Sequence, residues 1–341
     1  MNPIWVDEHG ALVGHGPHMM LNPGVGPERF RQALSALRSS GRPLAFASFT
    51  FDEAENDSLV VIPHSTTLET GLNGPSPAPG ISILDDGIDA WRRGFHTAMD
   101  AIGTENLAKV VLARQVEVQL DGELDPVGIV SRLRADNPDC YLFCVDGLIG
   151  ASPELLISLR DGRMRTLALA GTATHPDELE SVKISEEHRH VADSVTGVLS
   201  RHLAEVDVTE QVIVHHGAMS HVGTRIEGPA VPGTTVAEIL ADLHPTAAVA
   251  GTPTKAAIDL IREIEPGSRG RYAGPVGWMN QRGEGVFAIA LRCGQVDGTQ
   301  MTLFAGGGLV EGSEEGPELA ETELKLAPML AALGHSSSRS S

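Results

Sequence analysis

Residues 108–120 read AKVVLARQVEVQL, the longest stretch of alternating apolar residues in this chain. Alternate residues of a β-strand point to the same side of a sheet, so this run predicts one shared face made of Val110, Leu112, Arg114, Val116, Val118 and Leu120. Other apolar runs follow as CYLFCV, ELLISL, RMRTLAL, GVFAIALRC and QMTLFAGG, and Asp161-Gly162 is a hairpin signal. Strands therefore outnumber helices and many join through tight turns, which predicts an α+β fold with mainly antiparallel sheet.

Helical spacing is found between these strands and near both ends of the chain. It predicts helices at 28–40, 86–103, 125–135, 180–204, near 234–243 and 253–264, and at 317–331. Residues 1–30 have no clear period, and 64–80 are rich in Pro, Gly, Ser and Thr, so a loop or linker is expected there. The tail HSSSRSS at 335–341 is expected to be disordered.

Charge and cysteine content narrow the possible partners and compartments. The chain has 341 residues, 25 Lys and Arg against 45 Asp and Glu, and a formal net charge of -20. Such a negative chain is not expected to bind nucleic acid or an anionic membrane. Three cysteines without CxxC spacing favour a reducing compartment, and we find neither a signal peptide nor an apolar run of membrane-span length. A cytoplasmic protein is expected.

Glu187 lies on the apolar side of the predicted helix at 180–204. It shares one stripe with Ile184, Val191, Val195 and Val198. A buried carboxylate is costly unless a cation compensates its charge. Either a salt bridge with an Arg or Lys, or a bound metal ion, would provide that compensation.

A second group of carboxylates lies in PELAETELKL at 317–326, beyond three consecutive glycines. Pro317 suits the first helical position with Gly316 as its cap, and Glu318, Glu321 and Lys325 share one face. One reading is a solvated face with a Glu321–Lys325 pair. The other, together with Glu187, is a site for a hard cation such as Mg²⁺, which prefers carboxylate oxygens and keeps open positions for water and substrate.

Ten segments in order resemble the chorismate-utilising enzymes, which include isochorismate, salicylate and anthranilate synthases. They are KVVLAR (109–114), ASPELL (151–156), LAGTA (169–173), SVKISEEH (181–188), HVGTRIEG (221–228), LHPTAAVAGTP (243–253), RGRYAGPVGW (269–278), FAIALR (287–292), FAGGGLVEGS (304–313) and PELAETELKL (317–326). The resemblance implies a single large α+β domain, with two mainly antiparallel sheets flanking a central active-site cleft and helices outside. It predicts a variable N-terminal part of the fold at 1–84, a chorismate-binding catalytic core at 85–331 and a disordered tail at 332–341.

The resemblance also assigns roles to individual residues. Lys109 matches the family's general base and Glu154 its general acid. The residues that match Mg²⁺ ligands are Glu187, Glu318 and Glu321, with Glu318 binding directly or through water. Residues that match substrate-binding positions are Thr172, His221, Ala248, Tyr272, Arg292, Gly306, Gly307, Gly308 and Lys325.

Two of these residues point to a subclass. Family members that use ammonia in place of water generally lack the lysine at position 109, and those that eliminate pyruvate tend to carry Thr at position 248. Lys109 with Ala248 therefore implies an isochorismate synthase, an isomerase that adds water at C2 of chorismate and removes the C4 hydroxyl. The alternatives are a salicylate synthase, an aminodeoxyisochorismate-type synthase or a non-catalytic chorismate-binding homologue.

The chain departs from the family pattern at four places. Ala247 and Ala250 replace a Pro and a Gly, Gly307 replaces the Ala of a Gly-Ala-Gly turn, and the segment 174–180 is short. None of these changes removes a catalytic residue. A monomer or weak homodimer is expected, and either menaquinone or siderophore biosynthesis is compatible with the resemblance.

Overall fold

Two ten-stranded sheets form the centre of the computed structural model, and every strand pair described in them is antiparallel. The structure describes residues 1–72, 77–102, 107–173, 195–209, 212–216 and 219–335. The strands are β1 (Ile4–Asp7), β2 (Gly10–His15), β3 (Met19–Leu21), β4 (Leu44–Ser48), β5 (Leu59–Ile62), β6 (Ser65–Glu69), β7 (Ile81–Asp85), β8 (Lys109–Leu120), β9 (Tyr141–Val145), β10 (Leu148–Ser152), β11 (Leu155–Arg160), β12 (Arg163–Ala173), β13 (Asp207–Val208), β14 (Val212–His216), β15 (Met219–Pro229), β16 (Gly251–Thr252), β17 (Pro275–Asn280), β18 (Gly285–Ile289), β19 (Cys293–Asp297) and β20 (Gln300–Val310).

The first sheet, called sheet A, has the strand order β16-β8-β20-β19-β10-β9-β1-β2-β6, and β7 also pairs with β8. The second, sheet B, has the order β13-β15-β12-β11-β18-β17-β4-β5-β3, and β14 also pairs with β15. Non-consecutive neighbours in both orders mean that the chain crosses repeatedly between the sheets. Residues distant in sequence, such as those of β8 and β20, are thereby brought together.

Six helices, among those within the described ranges, pack on these sheets. They are α1 (Glu28–Ser40), α2 (Ile88–Ile102), α3 (Pro126–Asp136), α4 (Val236–Leu243), α5 (Thr254–Ile264) and α6 (Glu315–Ala332). One hydrophobic cluster contains buried residues of both sheets, among them Val110 and Phe287. A second cluster lies between sheet A and the helices α3 and α6 and includes Ile129 and Leu326. The α+β fold with two mainly antiparallel sheets is thus confirmed.

The N-terminal 84 residues contain more strand than the sequence predicts. They supply β1, β2 and β6 to sheet A and β3, β4 and β5 to sheet B. The expectation of a loop across 64–80 is wrong for β6, and β1 to β3 lie in the region whose sequence shows no clear period. These four strands are only three to six residues long, and β1 is buried on both faces. None of them therefore shows a clear alternation of apolar and polar residues.

The last helix begins earlier than its sequence predicts. Helix α6 starts at Glu315 after the cap residue Glu314, so Gly316 lies inside the first turn and is not the cap. Acidic residues are favourable in the first turn because they face the positive end of the helix dipole, and Glu315 and Glu318 are both there. None of the helices in the described ranges has the length and apolar character needed to span a lipid bilayer.

Candidate active site

The pairing of β8 with β20 places the predicted base next to the three glycines. Lys109 is opposite Val310, and Val111 is opposite Gly308. A methyl group built on Gly308 would lie 2.7 Å from Cε of Lys109, and one on Gly306 would lie 2.8 Å from the hydroxyl oxygen of Tyr272. A larger residue at 306 or 308 would therefore displace the Tyr272 hydroxyl or the end of the Lys109 side chain from its present position.

The three glycines belong to a strand, which corrects the expectation of a turn at these positions. Gly306, Gly307 and Gly308 all lie within β20. Val111 and Ala113 direct their N–H groups away from β20, to Ala250 and Glu265. Because backbone groups alternate along an antiparallel strand, Gly307 faces β8, whereas Gly306 and Gly308 face the edge beyond the end of β19. Consistent with this, the carbonyl of Gly306 accepts a hydrogen bond from Lys325 Nζ at 2.7 Å.

Glu154 is a buried carboxyl group between the strands β10 and β11. Its N–H donates to Ser152 Oγ at 3.2 Å, which fixes the short connection. Burial raises the pKa of Glu154 to about 7, although the positive charges of Lys109 and Lys325 oppose the shift. Both lysines are thus close enough to act on this carboxyl, and at neutral pH it is poised to exchange a proton.

The acidic face of α6 turns towards Glu154 and Arg292, and the space between these groups is called the cleft below. Glu318, Glu321 and Lys325 are half-buried, whereas Glu323 on the opposite side is exposed. Glu318 Oε1 accepts from Ser313 Oγ at 2.7 Å, and Lys325 Nζ contacts Glu321 Oε1 at 2.6 Å. The Glu321–Lys325 pair anticipated from the sequence is therefore present, on a face that lines the cleft.

Arg292 and Tyr272 are both buried near the end of β20 and β10. The backbone carbonyl of Arg292 accepts from Ala151 of β10, and Arg292 has a positive φ of 47°. Burial lowers its pKa, while the thiol of Cys140 and the carboxylate of Glu321 oppose that change. The Tyr272 ring stacks on Phe304 of β20 with ring centres 4.8 Å apart, and burial raises the pKa of its hydroxyl, which keeps it a hydrogen-bond donor.

Ala248 lies in the connection between α4 and β16. It lines a small cavity of about 10 Å³ with Glu154 and Thr246, enough for one water molecule. The buried Thr246 hydroxyl has no hydrogen-bond partner among the residues that the structure describes. Ala248, the residue predicted to distinguish the subclasses, and Glu154, the predicted acid, therefore line the same cavity.

Three predicted site residues remain partly or wholly outside this description. Glu187 lies outside the described residues, so its assignment as a metal ligand stays a prediction. Thr172 and His221 are opposite each other in the β12–β15 pair, next to a register shift after Ala170. Their backbones are adjacent at one position of sheet B, and their roles also stay predictions.

The described carboxylates are compatible with a divalent cation but do not form a complete site. Glu318 and Glu321 are one helical turn apart on the cleft face of α6, and both offer the hard oxygen donors that Mg²⁺ prefers. Within the described ranges no group of three His, Cys, Asp or Glu side chains could hold a metal ion. The third predicted ligand, Glu187, lies outside the described residues.

Sequence reasoning did not single out two buried charged residues beside the cleft. Glu265 and Arg269 form an ion pair whose side chains are 1% and 2% exposed. Arg269 belongs to RGRYAGPVGW, and opposite charges four residues apart are a recognisable signal. That spacing predicts an ion pair only within a helix, and the Pro266-Gly267 sequence between the two residues excludes a helix there. The contact was therefore not predicted.

Comparison with known proteins agrees with this arrangement. Residues 76–334 match the family model described as chorismate binding enzyme. Isochorismate synthase MenF of Bacillus subtilis is 34% identical over 262 residues, which cover 72% of this chain but 56% of that protein's length. Isochorismate synthase DhbC of Bacillus subtilis is 30% identical over 339 residues, which cover 90% of this chain and 85% of that protein.

Two solved structures share the fold. DhbC from Bacillus anthracis superposes with a TM-score of 0.87 and 27% identity, covering 98% of this chain and 96% of that one. The menaquinone-specific isochorismate synthase MenF from Escherichia coli superposes with a TM-score of 0.80 at 23% identity, covering 97% and 88%. The family match spans most of the chain and contains all fourteen predicted site residues, and the chain belongs to the chorismate binding enzyme family.

Proposed function

We propose that this chain is an isochorismate synthase, a Mg²⁺-dependent isomerase that interconverts chorismate and isochorismate. The observation that carries the proposal is the buried Glu154, with a pKa of about 7, near Lys109 and Lys325. The two Bacillus subtilis relatives named above are both isochorismate synthases. Relatives specific for vibriobactin and for menaquinone both occur, so the activity is proposed without a pathway.

The reaction exchanges one hydroxyl position for another with no net change in composition. A water oxygen bonds to C2 of chorismate and loses a proton to the base, while the C4–O bond breaks and that hydroxyl leaves as water after receiving a proton. Lys109, when its amine is uncharged, takes the first proton. Glu154, when protonated, supplies the second.

The substrate is an anion and the chain has a net charge of -20, so the site itself must supply positive groups to bind it. Arg292 and the Tyr272 hydroxyl are assigned to one carboxylate of chorismate, where a guanidinium and an O–H donor suit a planar anion. The N–H groups of Gly306 and Gly308 face the edge of β20 beyond the end of β19, and they can donate to the substrate as well. A Mg²⁺ ion held by Glu187, Glu318 and Glu321 would neutralise the ring carboxylate.

The test is incubation of the purified protein with chorismate and Mg²⁺, followed by chromatographic separation of the products. Isochorismate is the expected product. Absence of any chorismate consumption by folded protein would refute the proposal in favour of a non-catalytic homologue.

A further inference from the structure

Glu265 and Arg269 form a buried bridge at the edge of β8. Arg269 Nε donates to Glu265 Oε2 at 2.9 Å, and Arg269 Nη2 lies 2.5 Å from Glu265 Oε1. Burial alone would lower the pKa of Arg269, and the Glu265 carboxylate outweighs that and raises it. The two side chains therefore form a charged pair inside the protein.

The pair extends the strand ladder where the short strand β16 no longer covers β8. Val111 N–H donates to Ala250 O, the contact at one end of β16. One position further, Val111 O accepts from Arg269 Nη2 at 2.6 Å, and Ala113 N–H donates to Glu265 Oε1 at 2.8 Å. Two buried side chains thus satisfy the backbone groups that a neighbouring strand would otherwise bond.

The same guanidinium holds two other segments of the cleft. Arg269 Nη1 donates to the carbonyl of Val249, the residue that follows Ala248, at 2.9 Å. Its guanidinium also lies over the Tyr272 ring, 5.9 Å from the ring centre, and its backbone carbonyl accepts a hydrogen bond from the N–H of Tyr272 at 3.0 Å. Arg269 therefore contacts the strand that begins with Lys109, the loop that carries Ala248 and the turn that carries Tyr272.

Only a planar guanidinium can make all of these side-chain hydrogen bonds at once. It has five N–H donors in a fixed fork, and here they reach a carboxylate and two carbonyls in different directions. A lysine in its place would keep the charge and lose the geometry. A buried ion pair is by itself weak evidence for added stability, whereas the contacts above connect this pair to three segments of the cleft.

We infer that Glu265 and Arg269 are positioning residues that set the relative placement of Lys109, Ala248 and Tyr272 in the cleft. This inference rests on the proposed function. It predicts that weakening the pair lowers turnover by misplacing groups that still exist, since a displacement of about 1 Å can cost about 100-fold in rate.

The test compares Arg269→Lys, Glu265→Gln and Glu265→Ala with Arg271→Lys as a matched control. Arg271 is also buried and donates to Ser48, Val145, Asp146 and Gln295, none of which is assigned to the cleft chemistry. All variants are assayed well below their own melting temperatures. The kcat is expressed per folded molecule, and the KM for chorismate is measured alongside it. Amide hydrogen exchange at 111–113 is measured without substrate.

We expect Arg269→Lys to lower kcat by about 10- to 100-fold, with a smaller change in KM. Glu265→Gln keeps an acceptor for Ala113 N–H and should retain more activity than Glu265→Ala. Exchange at 111–113 should accelerate in Arg269→Lys and Glu265→Ala. Arg271→Lys should lose comparable thermal stability and change kcat less than about threefold.

Three results would overturn the inference. One is a kcat of Arg269→Lys within about threefold of the wild-type value. Another is an equal loss of kcat in Arg271→Lys, which would show that the effect follows general destabilisation. The third is unchanged amide exchange at 111–113 in Arg269→Lys and Glu265→Ala, which would refute the bridging role whether or not the wild type is active. A wild-type protein that does not consume chorismate contradicts the proposed function instead.

Discussion

At the scale of single residues, the chemistry depends on two groups of opposite function in one cleft. Glu154 is buried and its pKa is raised to about 7, so near neutrality a large fraction carries the proton that a general acid must donate. As pH rises through about 7 this fraction falls. We predict that wild-type kcat falls with it, provided that Glu154 is the acid.

Glu154→Gln should lower kcat by at least about 100-fold and remove this dependence on pH. The amide fills the same space but cannot donate a proton to the leaving oxygen. Rate measurements between pH 6 and 9 check both points. Near-normal turnover of the variant would show that another group is the acid.

The same substitution should stabilise the fold at alkaline pH. The pKa of Glu154 rises from its ordinary value of 4.5 to about 7 on folding, so the folded state binds the proton more tightly. Stability is therefore lost as pH rises between these two values, by an amount on the order of 3 kcal/mol. Unfolding at pH 8 should show Glu154→Gln to be more stable than wild type, with the difference vanishing near pH 4; equal stability at both pH values would contradict the burial argument.

Lys109 is the proposed general base, and the addition of water to chorismate depends on it. Lys109→Ala should lower kcat by at least about 100-fold, since general bases contribute roughly 10²–10⁴-fold, while the protein still binds chorismate. The control is Lys255→Ala, whose side chain is 89% exposed on α5 and pairs with Asp259. A Lys109→Ala variant near the wild-type rate would mean that the base is another group.

At the scale of elements, β20 and α6 form one wall of the site. Gly308 and Gly306 leave room for Lys109 and Tyr272, whereas a methyl group on Gly307 would meet only the flexible carboxylate of Glu318, at 3.3 Å. Alanine at position 307 is therefore compatible with this packing, in agreement with the Gly-Ala-Gly sequence of the family pattern.

We therefore predict different outcomes for alanine at neighbouring positions of β20. Gly307→Ala should keep kcat within about threefold, and Gly308→Ala should lower it by at least about 10-fold, because Lys109 must move. Steady-state kinetics of the two variants, with circular dichroism to confirm folding, distinguish them. Equal losses at 307 and 308 would contradict the proposed packing of Lys109.

Helix α6 should carry part of a Mg²⁺ site. Excess chelator should abolish turnover and added Mg²⁺ should restore it, since Glu318 and Glu321 offer carboxylate oxygens on the cleft face. Glu321→Gln should weaken Mg²⁺ binding measured by calorimetry, whereas Glu323→Gln, on the exposed side, should not. Full activity in chelator, or equal Mg²⁺ binding by the two variants, would contradict the metal assignment.

At the scale of the whole molecule, the sequence predicts the fold class well because long strands such as β8 have a strong alternating pattern. It misses β1 to β3 and β6, which are short and gain their structure from pairing within the sheets. Propensity over a few residues is too weak to reveal strands that depend on partners distant in sequence.

The candidate site follows the same rule. Lys109, Glu154 and the α6 acids are predicted through sequence motifs, and their proximity depends on the pairing of β8 with β20. The bridge of Glu265 and Arg269 is not predicted, because its partners at 111, 113 and 249 are backbone atoms that no side-chain pattern reveals. Contacts between a side chain and a distant backbone become visible only in three dimensions.

The central claim is that water is the nucleophile and that the reaction stops at isochorismate. The most direct measurement follows purified protein with chorismate and Mg²⁺ near neutral pH, separating the products while lactate dehydrogenase reports pyruvate. We predict that isochorismate accumulates to equilibrium with chorismate and that little pyruvate is released, because Ala248 offers no hydroxyl to hold the enolpyruvyl side chain for elimination. Stoichiometric release of pyruvate with salicylate would contradict this account and identify a salicylate synthase.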